Sequence, residues 1–327
     1  MSVPAAIATI GNFDGVHAGH RELVRRARRT ADQRAGATVL AVVFDPHPAT
    51  VLRPSQPPAV LSTFDQRRRW LTDLGVDRVL RLDPRKPVDG AGAESLLALS
   101  AEAFIEWLAR VHGVAGGGIV EGPDFRFGKD RKGTVETLRS WAAHSGGSVE
   151  VVEPIDVTLP SGERVPARSG VARRLISAGR VADAAAVLGR PYEIEGTVVR
   201  GYRRGRAMGF PTLNIECEHL RPAAGVYAGW ATLPDGQTAP AAVSVGVNAT
   251  FNQSMVPTVE AHVLGVGGPG RLLADREYGW GVRLTFTHRL REMVRFDGVD
   301  ALTAAISNDC AQVRALAAQT QTEDVRA

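Results

Sequence analysis

Short apolar runs alternate with amphipathic segments along the first half of the chain. Such runs predict buried strands, whereas apolar residues three or four positions apart predict helices. The predicted strands are 5–10, 39–44, 78–82, 118–120 and 149–152. The predicted helices are 19–35, 63–74 (capped by Ser62) and 101–111. This β-α-β order predicts a parallel sheet with helices on both faces, and ligands of such sheets bind at the carboxyl ends of the strands.

The pattern changes near Gly189, where Gly-Arg-Pro interrupts the helical spacing. The strands predicted beyond this point are short and often alternating: 192–199, 226–232, 241–245, 258–264 and 282–286. Turn-rich loops separate them, as is typical of an antiparallel barrel or sandwich. A final helix, 299–318, is expected to pack over an open end. We therefore predict a Rossmann-like α/β domain over 1–187 and an all-β barrel with a C-terminal helix over 188–327.

Composition and charge narrow the class of protein without locating a site. The chain has 327 residues, 44% of them apolar and 23% charged, which is typical of a folded protein with two domains. Residues 1–185 hold 25 basic and 21 acidic residues, and residues 186–327 hold 14 of each. The densest basic run, from Arg21 to Arg29, follows helical spacing. It is interpreted as a solvated helix face rather than a nucleic-acid-binding stripe.

Cysteine usage and the absence of long apolar runs bear on location. Cys217 and Cys310 are too few for a disulfide framework and lack the spacing of metal ligands. They favour a reducing compartment, so we expect the protein in the cytoplasm. The start of the chain has no basic leader, and we expect neither a signal peptide nor a membrane span.

The glycine-rich turn from Gly11 to His20, after the first predicted strand, is the first candidate site. Glycines allow a ligand to approach the backbone, and amide groups at a helix start attract phosphate. His17 and His20 are placed to donate hydrogen bonds to phosphoryl oxygens and to neutralise charge on a leaving pyrophosphate. The alternative is an ordinary turn with two surface histidines. A metal site is less favoured because no third ligand has suitable spacing.

A second loop, 122–133, interleaves Phe125 and Phe127 with cations. Aromatic rings stack on flat ligands, and nearby cations hold phosphate. The alternative is a solvated basic loop, which would leave two exposed phenylalanines unexplained. His47 also follows a predicted strand, but taken alone it is more typical of a structural turn.

In the second half, Thr212 and Asn214 provide small oxygen-bearing side chains in a loop rich in glycine and arginine. Such oxygens suit Mg²⁺, which takes its other ligands from water and substrate phosphates. Glu260 lies in an otherwise apolar strand, where a carboxylate either faces solvent or acts as a base in phosphoryl transfer. The sequence contains no Walker motif, which excludes a P-loop kinase. The glycines of 265–270 lack a strand-turn-helix context and are interpreted as a loop.

Three motifs of the first half occur in order: Gly-Asn-Phe-Asp-Gly-Val-His-x-Gly-His, Phe-Asp-Pro-His-Pro and Asp-Phe-Arg-Phe-Gly. Together they resemble the adenylyltransferase half of the bacterial bifunctional riboflavin kinase/FAD synthetases, within the nucleotidyltransferase superfamily. The resemblance implies a nucleotidyltransferase-like fold, transfer of AMP from ATP to FMN, and catalytic roles for His17 and His20. The implied binding residues are Gly11, Asn12, Phe13, Gly19, Asp124, Phe125, Arg126, Ser169 and Arg173.

One departure from the family pattern leaves an alternative open. The family usually closes this module with Ser-Ser-Thr-x-Ile-Arg, whereas the segment from Arg168 to Arg173 keeps only Ser169 and Arg173. With two hydroxyl donors missing, the alternative is a riboflavin kinase whose adenylyltransferase module is weakened or inactive. An Arg-rich nucleic-acid-binding protein is the alternative of another class.

The second half is similar to the flavokinase barrel of the same family. The matching motifs are Gly-Arg-x-x-Gly-Phe-Pro-Thr-x-Asn, Gly-Val-Tyr-Ala, Gly-x-Asn-x-Thr-Phe and the strand that carries Glu260. The resemblance implies that Mg-ATP phosphorylates riboflavin, with Glu260 as the base and Thr212 and Asn214 holding Mg²⁺. It also implies that Gly209, Pro211, Thr212, Asn214 and Arg291 bind substrates.

Two positions of the second half differ from the family pattern. Ala249 replaces a common proline, and Arg276-Glu277 replaces the usual Asp-Leu before Tyr278. The flavin-covering loop is therefore expected to differ. The partners implied by the resemblance are riboflavin, FMN and ATP, with no nucleic acid and no membrane.

Overall fold

The computed structural model describes residues 4–90, 92–201, 204–246, 258–265 and 277–324. The chain divides into two compact units. Unit 1 comprises Met1–Ala59, Thr63–Asp156 and Pro166–Arg168, and unit 2 comprises Val60–Ser62, Val157–Val165 and Ser169–Ala327. Residues 247–251 of the Gly-x-Asn-x-Thr-Phe motif, including Ala249, lie outside the described residues, as does Arg276.

Unit 1 is built on a five-stranded parallel sheet. Its strands are β1 (Ala6–Gly11), β2 (Thr38–Phe44), β3 (Arg78–Leu82), β4 (Gly118–Glu121) and β5 (Ser148–Val151). Their order is β3-β2-β1-β4-β5, with every pair parallel. The direction of winding therefore reverses between β1 and β4, which is where sheets of this kind bind ligands. All five strands predicted from the sequence are confirmed.

Helices cover both faces of this sheet. They are α1 (Ala18–Asp32), α3 (Phe64–Asp73), α4 (Ala101–His112) and α5 (Val135–Ser145), whereas the short helix α2 (Pro48–Leu52) buries no residue. Successive residues of β1 face opposite sides, so that Ile7 packs in one core with Val24 of α1 and Ala8 packs in the other with Leu108 of α4. Because both faces are buried at the centre of the sheet, β1 and β2 are apolar almost throughout, whereas β3 and β5 at its edges also carry polar residues.

The start of α3 corrects one expectation. Ser62 is not its cap, because the side chain of Thr63 accepts the amide of Gln66 while the side chain of Gln66 accepts the amide of Thr63. This reciprocal capping box satisfies two otherwise unpaired backbone donors. A capping box of this kind needs Gln or Glu three residues after the cap, and Gln66 is three residues after Thr63.

Four short elements that the sequence analysis did not predict precede the barrel. A two-stranded sheet is formed by β6 (Asp156–Thr158) and β7 (Arg164–Pro166). Two helices follow, α6 (Ser169–Ser177) and α7 (Val181–Leu188). Elements of three to nine residues contain too few positions to establish a periodicity, which explains why they were missed.

Six antiparallel strands of unit 2 form a closed barrel in the order β10-β11-β12-β9-β8-β13. The elements in chain order are β8 (Tyr192–Val199), α8 (Arg204–Ala207), β9 (Leu213–Glu216), β10 (Gly225–Thr232), β11 (Thr238–Gly246), β12 (Thr258–Val263), β13 (Gly281–Arg291) and α9 (Val299–Asp324). The predicted barrel is confirmed. Five of its six strands match predicted strands; β9, which carries Asn214, lies where the sequence predicted a loop.

The two sides of the barrel wall have different contents. Leu213 and Ile215 of β9 and Val259 and Ala261 of β12 belong to the buried core. Asn214 and Glu260 alternate with these residues and are only partly buried, so they lie on the opposite, outer side of the wall.

Helix α9 was expected to pack over an open end of the barrel. It packs instead against the outer wall. Its buried Cys310 and Val313 form a separate apolar cluster with Ala228 of β10 and Ala242 of β11. Alanine at these two positions leaves room for the helix to approach the strands. No helix in the described part of the chain is long and apolar enough to cross a membrane.

Candidate active sites

A cleft of about 260 Å³ lies beyond the carboxyl ends of β1, β4 and β5 in unit 1. We call it the histidine cleft. Its lining comes from the start of α1, from the segments at the ends of β4 and β5, and from residues 166–168. Five residues predicted from the sequence are brought together here: His17, Gly19, His20, Asp124 and Phe125.

The two histidines are fixed by the first turn of α1. His17 is the cap of this helix, and its Nδ1 accepts the backbone amide of His20 at 3.4 Å. The rings stack with their centroids 3.7 Å apart. Since Nδ1 of neutral His17 is an acceptor, Nε2 carries the proton and is a donor. Gly19 lies in a tight space, because a Cβ there would be 3.0 Å from the carbonyl oxygen of Ala167 and 3.1 Å from Nδ1 of His17 and would press on both.

The turn that leads into α1 has a strained backbone. Phe13 and Val16 have positive φ angles, 50° and 37°, which side-chain-bearing residues rarely adopt. Both side chains are fully buried in the core of unit 1. Their packing stabilises the conformation, and the Phe13 ring lies 4.9 Å from that of His20. Phe13, predicted as a binding residue, therefore has its side chain in the core, and Gly11 ends β1.

Arg67 links the loops after β1 and β2 and was missed by the sequence analysis. Its buried guanidinium donates to the carbonyl oxygens of Asn12 (2.7 Å) and Phe44 (3.2 Å) and pairs with Asp45. The Asn12 side-chain amide lies 2.9 Å from Nε2 of His47. No local pattern could have identified Arg67, because its partners are 55, 23 and 22 residues away.

Glu121 places a buried carboxyl group in the wall of the histidine cleft. It accepts the backbone amide of Ile10 and the hydroxyl of Thr9, the latter at 3.3 Å. Loss of hydration raises the pKa of this carboxyl to about 8, and the hydrogen bonds offset only part of that effect. Glu121 is therefore protonated at neutral pH and brings no negative charge to a cleft suited to phosphates. Glu121 was not predicted, although an acidic residue at the end of an apolar strand is a sequence signal that could have identified it.

The aromatic loop after β4 is partly buried rather than solvated. Phe127 packs in the core, and Phe125 stacks on it with ring centroids 5.3 Å apart. Arg126 is exposed and donates to the carbonyl oxygen of Phe125 at 2.8 Å. Asp124 pairs with Arg168 at 3.2 Å, but both side chains are exposed and such pairs contribute little stability.

The remaining predicted residues of this group lie in α6. Ser169 begins the helix, Arg173 lies one turn further on, and both belong to unit 2.

The arginine run of α1 forms ion pairs along its own helix, with Arg25 and Arg26 bonded to Glu22 at 2.6 and 2.9 Å. These guanidinium groups hold the pKa of Glu22 at about 2. The pairs agree with a solvated helix face.

A small cavity of about 20 Å³ lies in unit 2 where β8 and β9 meet the segment before β13. We call it the Thr212 cavity. It brings together three residues predicted from the sequence, Pro211, Thr212 and Asn214. The other lining residues are Val198, Val199, Gly201, Arg206, Glu277 and Tyr278.

Glu260 lies next to this cavity on the neighbouring strand. It is directly opposite Asn214 in the pairing of β12 with β9, and the hydroxyl of Thr212 donates to its Oε2 at 3.5 Å. His262, two residues further on, donates from Nδ1 to the carbonyl oxygen of Pro211 at 2.7 Å. Its ring also contacts Phe210 edge-on. His262 was missed, although its spacing from Glu260 places it on the same side of the strand.

Two further predicted residues have structural contacts. Gly209 has a φ of +83° in the turn after α8, and the next amide, of Phe210, donates to the carbonyl oxygen of Gly205 at 2.8 Å. Arg291 forms a two-bonded ion pair with the buried Asp309, at 2.9 and 2.8 Å. This pair joins the end of β13 to α9.

Comparisons with known proteins find relatives for both halves of the chain. An FAD synthetase family model matches residues 2–161, and a riboflavin kinase family model matches residues 188–317. The bifunctional riboflavin kinase/FMN adenylyltransferase of Pseudomonas fluorescens is 34% identical over 95% of this chain and 93% of its own. The protein of the same name from Listeria monocytogenes is 30% identical over 96% and 93%.

A solved structure extends the comparison to the fold. The crystal structure of a macrolide-efflux protein from Streptococcus pneumoniae superimposes with a TM-score of 0.78 at 28% identity, covering 96% of this chain and 95% of the other. The predicted fold class is thus confirmed. The resemblance inferred from the motifs is also confirmed, and the chain belongs to the bifunctional riboflavin kinase/FMN adenylyltransferase family.

Proposed function

We propose that this chain makes FAD from riboflavin in two ATP-dependent steps. The first transfers the γ-phosphoryl group of ATP to the ribityl 5′-hydroxyl of riboflavin and yields FMN. The second transfers AMP from ATP to FMN and releases pyrophosphate. We assign adenylyl transfer to residues 1–187 and phosphoryl transfer to residues 188–327. The observation that carries the proposal is that predicted site residues of each half lie together: His17, Gly19, His20, Asp124 and Phe125 line the histidine cleft, and Pro211, Thr212 and Asn214 line the Thr212 cavity.

Adenylyl transfer needs little covalent chemistry from the protein, because the FMN phosphate is already a nucleophile. As this phosphate attacks the α-phosphorus of ATP, negative charge develops on the pyrophosphate that leaves. Nε2 of His17, the His20 ring and the amide groups at the start of α1 supply donors for that charge. The protonated Glu121 adds no repulsion. Asn12, Asp124, Phe125, Arg126, Ser169 and Arg173 remain proposed binding residues.

Phosphoryl transfer needs a base for the riboflavin hydroxyl, and we assign this role to Glu260. The carboxylate accepts the proton while the hydroxyl oxygen attacks the γ-phosphorus. Thr212 holds the Glu260 carboxylate through the bond at 3.5 Å. The hydroxyl of Thr212 and the amide oxygen of Asn214 are hard donors that fit Mg²⁺. When bound there, Mg²⁺ neutralises the charge of the ATP phosphates.

Product analysis tests the assignment of both activities. Purified full-length protein is incubated with riboflavin and Mg-ATP, and the flavins are separated at intervals. We expect FMN first and FAD later. FMN without FAD would support the alternative raised by the segment from Arg168 to Arg173, a kinase with an inactive second module. The absence of both products would refute the whole proposal.

Substitution of Gly201 tests whether the position of the Asn214 side chain matters for riboflavin phosphorylation. A Cβ at this position would overlap the side-chain amide of Asn214, so Gly201→Ala must displace that amide. A displacement of about 1 Å in a catalytic site costs roughly 100-fold in rate, and we expect kcat/KM for riboflavin phosphorylation to fall by about that factor. Gly281→Ala is the matched control, because its Cβ would contact nothing within 4 Å. Equal activity of both variants would contradict a role for Asn214.

We also assign the protein to the cytoplasm, where ATP is supplied. Both cysteines are free thiols, and burial raises the pKa of each. A raised pKa keeps them protonated and slow to oxidise. Fractionation of cells that express the tagged chain would test this location, and recovery from any other compartment would contradict it.

A further inference from the structure

The Thr212 cavity contains a carboxylate that the proposed reaction does not use. Glu277 is only 6% exposed, although glutamate is rarely buried without a partner. Its Oε2 is inaccessible to water and has no hydrogen-bond partner within the described residues. A buried oxygen without a partner destabilises the fold, so its retention in a cavity next to Thr212 and Asn214 points to a ligand.

Backbone hydrogen bonds fix the position of Glu277. The amide of Gly279 donates to the carbonyl oxygen of Val198 at 2.9 Å, and the amide of Val198 donates to that of Trp280 at 2.8 Å. The amide of Trp280 closes the turn on the carbonyl oxygen of Glu277 at 3.1 Å. This turn is therefore held against the end of β8, where Val199 pairs with Asn214.

The size and lining of the cavity restrict what it can hold. A volume of about 20 Å³ accommodates one water-sized guest, which is the size of a single cation. Besides Tyr278, the lining residues with side-chain oxygens are Thr212, Asn214 and Glu277, which offer a hydroxyl, an amide oxygen and a carboxylate, the donor types that hard divalent cations bind. Arg206 also lines the cavity and opposes a cation, but it is exposed to solvent.

We propose that Glu277 is a third protein ligand for the divalent cation at Thr212 and Asn214, and that the chain binds this cation before ATP arrives. The inference rests on the proposed kinase function for the identity of the cation. The other two donors are neutral, and the Glu260 carboxylate beside Thr212 is assigned to the riboflavin hydroxyl, so a cation held by Thr212 and Asn214 alone would rely on the charge of the nucleotide phosphates. Glu277 supplies negative charge from the protein, and binding without nucleotide becomes favourable.

Manganese binding to the nucleotide-free, flavin-free full-length chain tests the proposal. Mn²⁺ shares the preference for oxygen donors and is followed by electron paramagnetic resonance. We expect the wild type to bind Mn²⁺ and Glu277→Gln to weaken one site at least about 10-fold, the lower range for disturbing a metal's coordination environment. Glu218→Gln, an exposed glutamate of the same unit, should leave the titration unchanged. Identical titrations of wild type and Glu277→Gln would overturn the inference.

Thermal unfolding provides a second measurement that does not depend on Mn²⁺. Glu277→Leu removes the unpartnered carboxylate, so we expect its Tm without metal to be higher than that of the wild type. Added Mg²⁺ should raise the Tm of the wild type but not of this variant. A variant that is destabilised without metal, or that responds to Mg²⁺ like the wild type, would overturn the inference. Neither assay uses kinase turnover, so Mn²⁺ binding through Glu277 in an inactive protein would refute the kinase assignment alone.

Discussion

Glu260→Gln is expected to abolish FMN formation and to leave FAD formation from supplied FMN unchanged. Glutamine keeps the shape of the side chain and an oxygen that accepts the Thr212 hydroxyl, but it has no useful basicity. General-base catalysis contributes about 10²- to 10⁴-fold, so we expect kcat for riboflavin phosphorylation to fall by about that factor. Separation of the flavins after incubation with riboflavin or with FMN measures the two activities independently.

Glu216→Gln is the matched control for this substitution. Glu216 lies on β9 beside the same strand pair but is exposed and outside the Thr212 cavity. It should leave both activities unchanged. If Glu260→Gln lowered both activities together while its circular dichroism remained that of the wild type, two independent sites would be the wrong interpretation. Retained kinase activity would exclude Glu260 as the base.

Glu121→Gln is expected to remove a pH dependence of stability. The pKa of this carboxyl is about 8 in the folded chain against a usual value of 4.5. Between these pH values the folded state keeps a proton that the unfolded state has lost. The stabilisation is therefore complete below about pH 4.5, declines as pH rises to about 8 and is absent above that. Glutamine resembles the protonated acid and does not titrate.

Denaturant unfolding of wild type and Glu121→Gln from pH 5 to pH 9 tests this expectation. The difference in unfolding free energy isolates Glu121, because the other titrating groups are common to both proteins. We expect the wild type to lose stability relative to the variant by about 1.4 kcal/mol per pH unit, up to a few kcal/mol in total, until about pH 8. Parallel curves across this range would contradict a protonated Glu121.

Most of the fold was predictable because its signals are local. The central strands β1 and β2 appear as nearly continuous apolar runs, the edge strands β3 and β5 still carry recurring apolar residues, and the longer barrel strands are bounded by turns. Strand β9 was missed because four residues do not establish alternation. The place of α9 was wrong for a different reason. Its apolar stripe indicates that it packs against something, but Ala228 and Ala242 form a docking surface only after the barrel has closed.

The site residues also divide into those with a local sequence signal and those whose role exists only in the folded chain. His17, His20 and Asp124 were expected near one another because parallel strands end at the same edge of a sheet, and the structure brings them into one cleft. Arg67 was not predictable, because its role depends on backbone carbonyls from two distant loops. Glu277 was noticed only as a departure from a family pattern. Its burial without a hydrogen-bond partner is a property of the fold.

The alternation of core and site residues along β9 and β12 ties activity to strand pairing. A slip of one residue between these strands would turn Glu260 and Asn214 into the barrel interior and expose Val259 and Ala261. Misfolded chains of this kind would lose both the core and the base in one event. Conversely, substitutions of Asn214 and Glu260, at the outward positions of correctly paired β9 and β12, leave the barrel core intact. Selection can therefore alter the phosphoryl-transfer chemistry of this wall without rebuilding the protein beneath it.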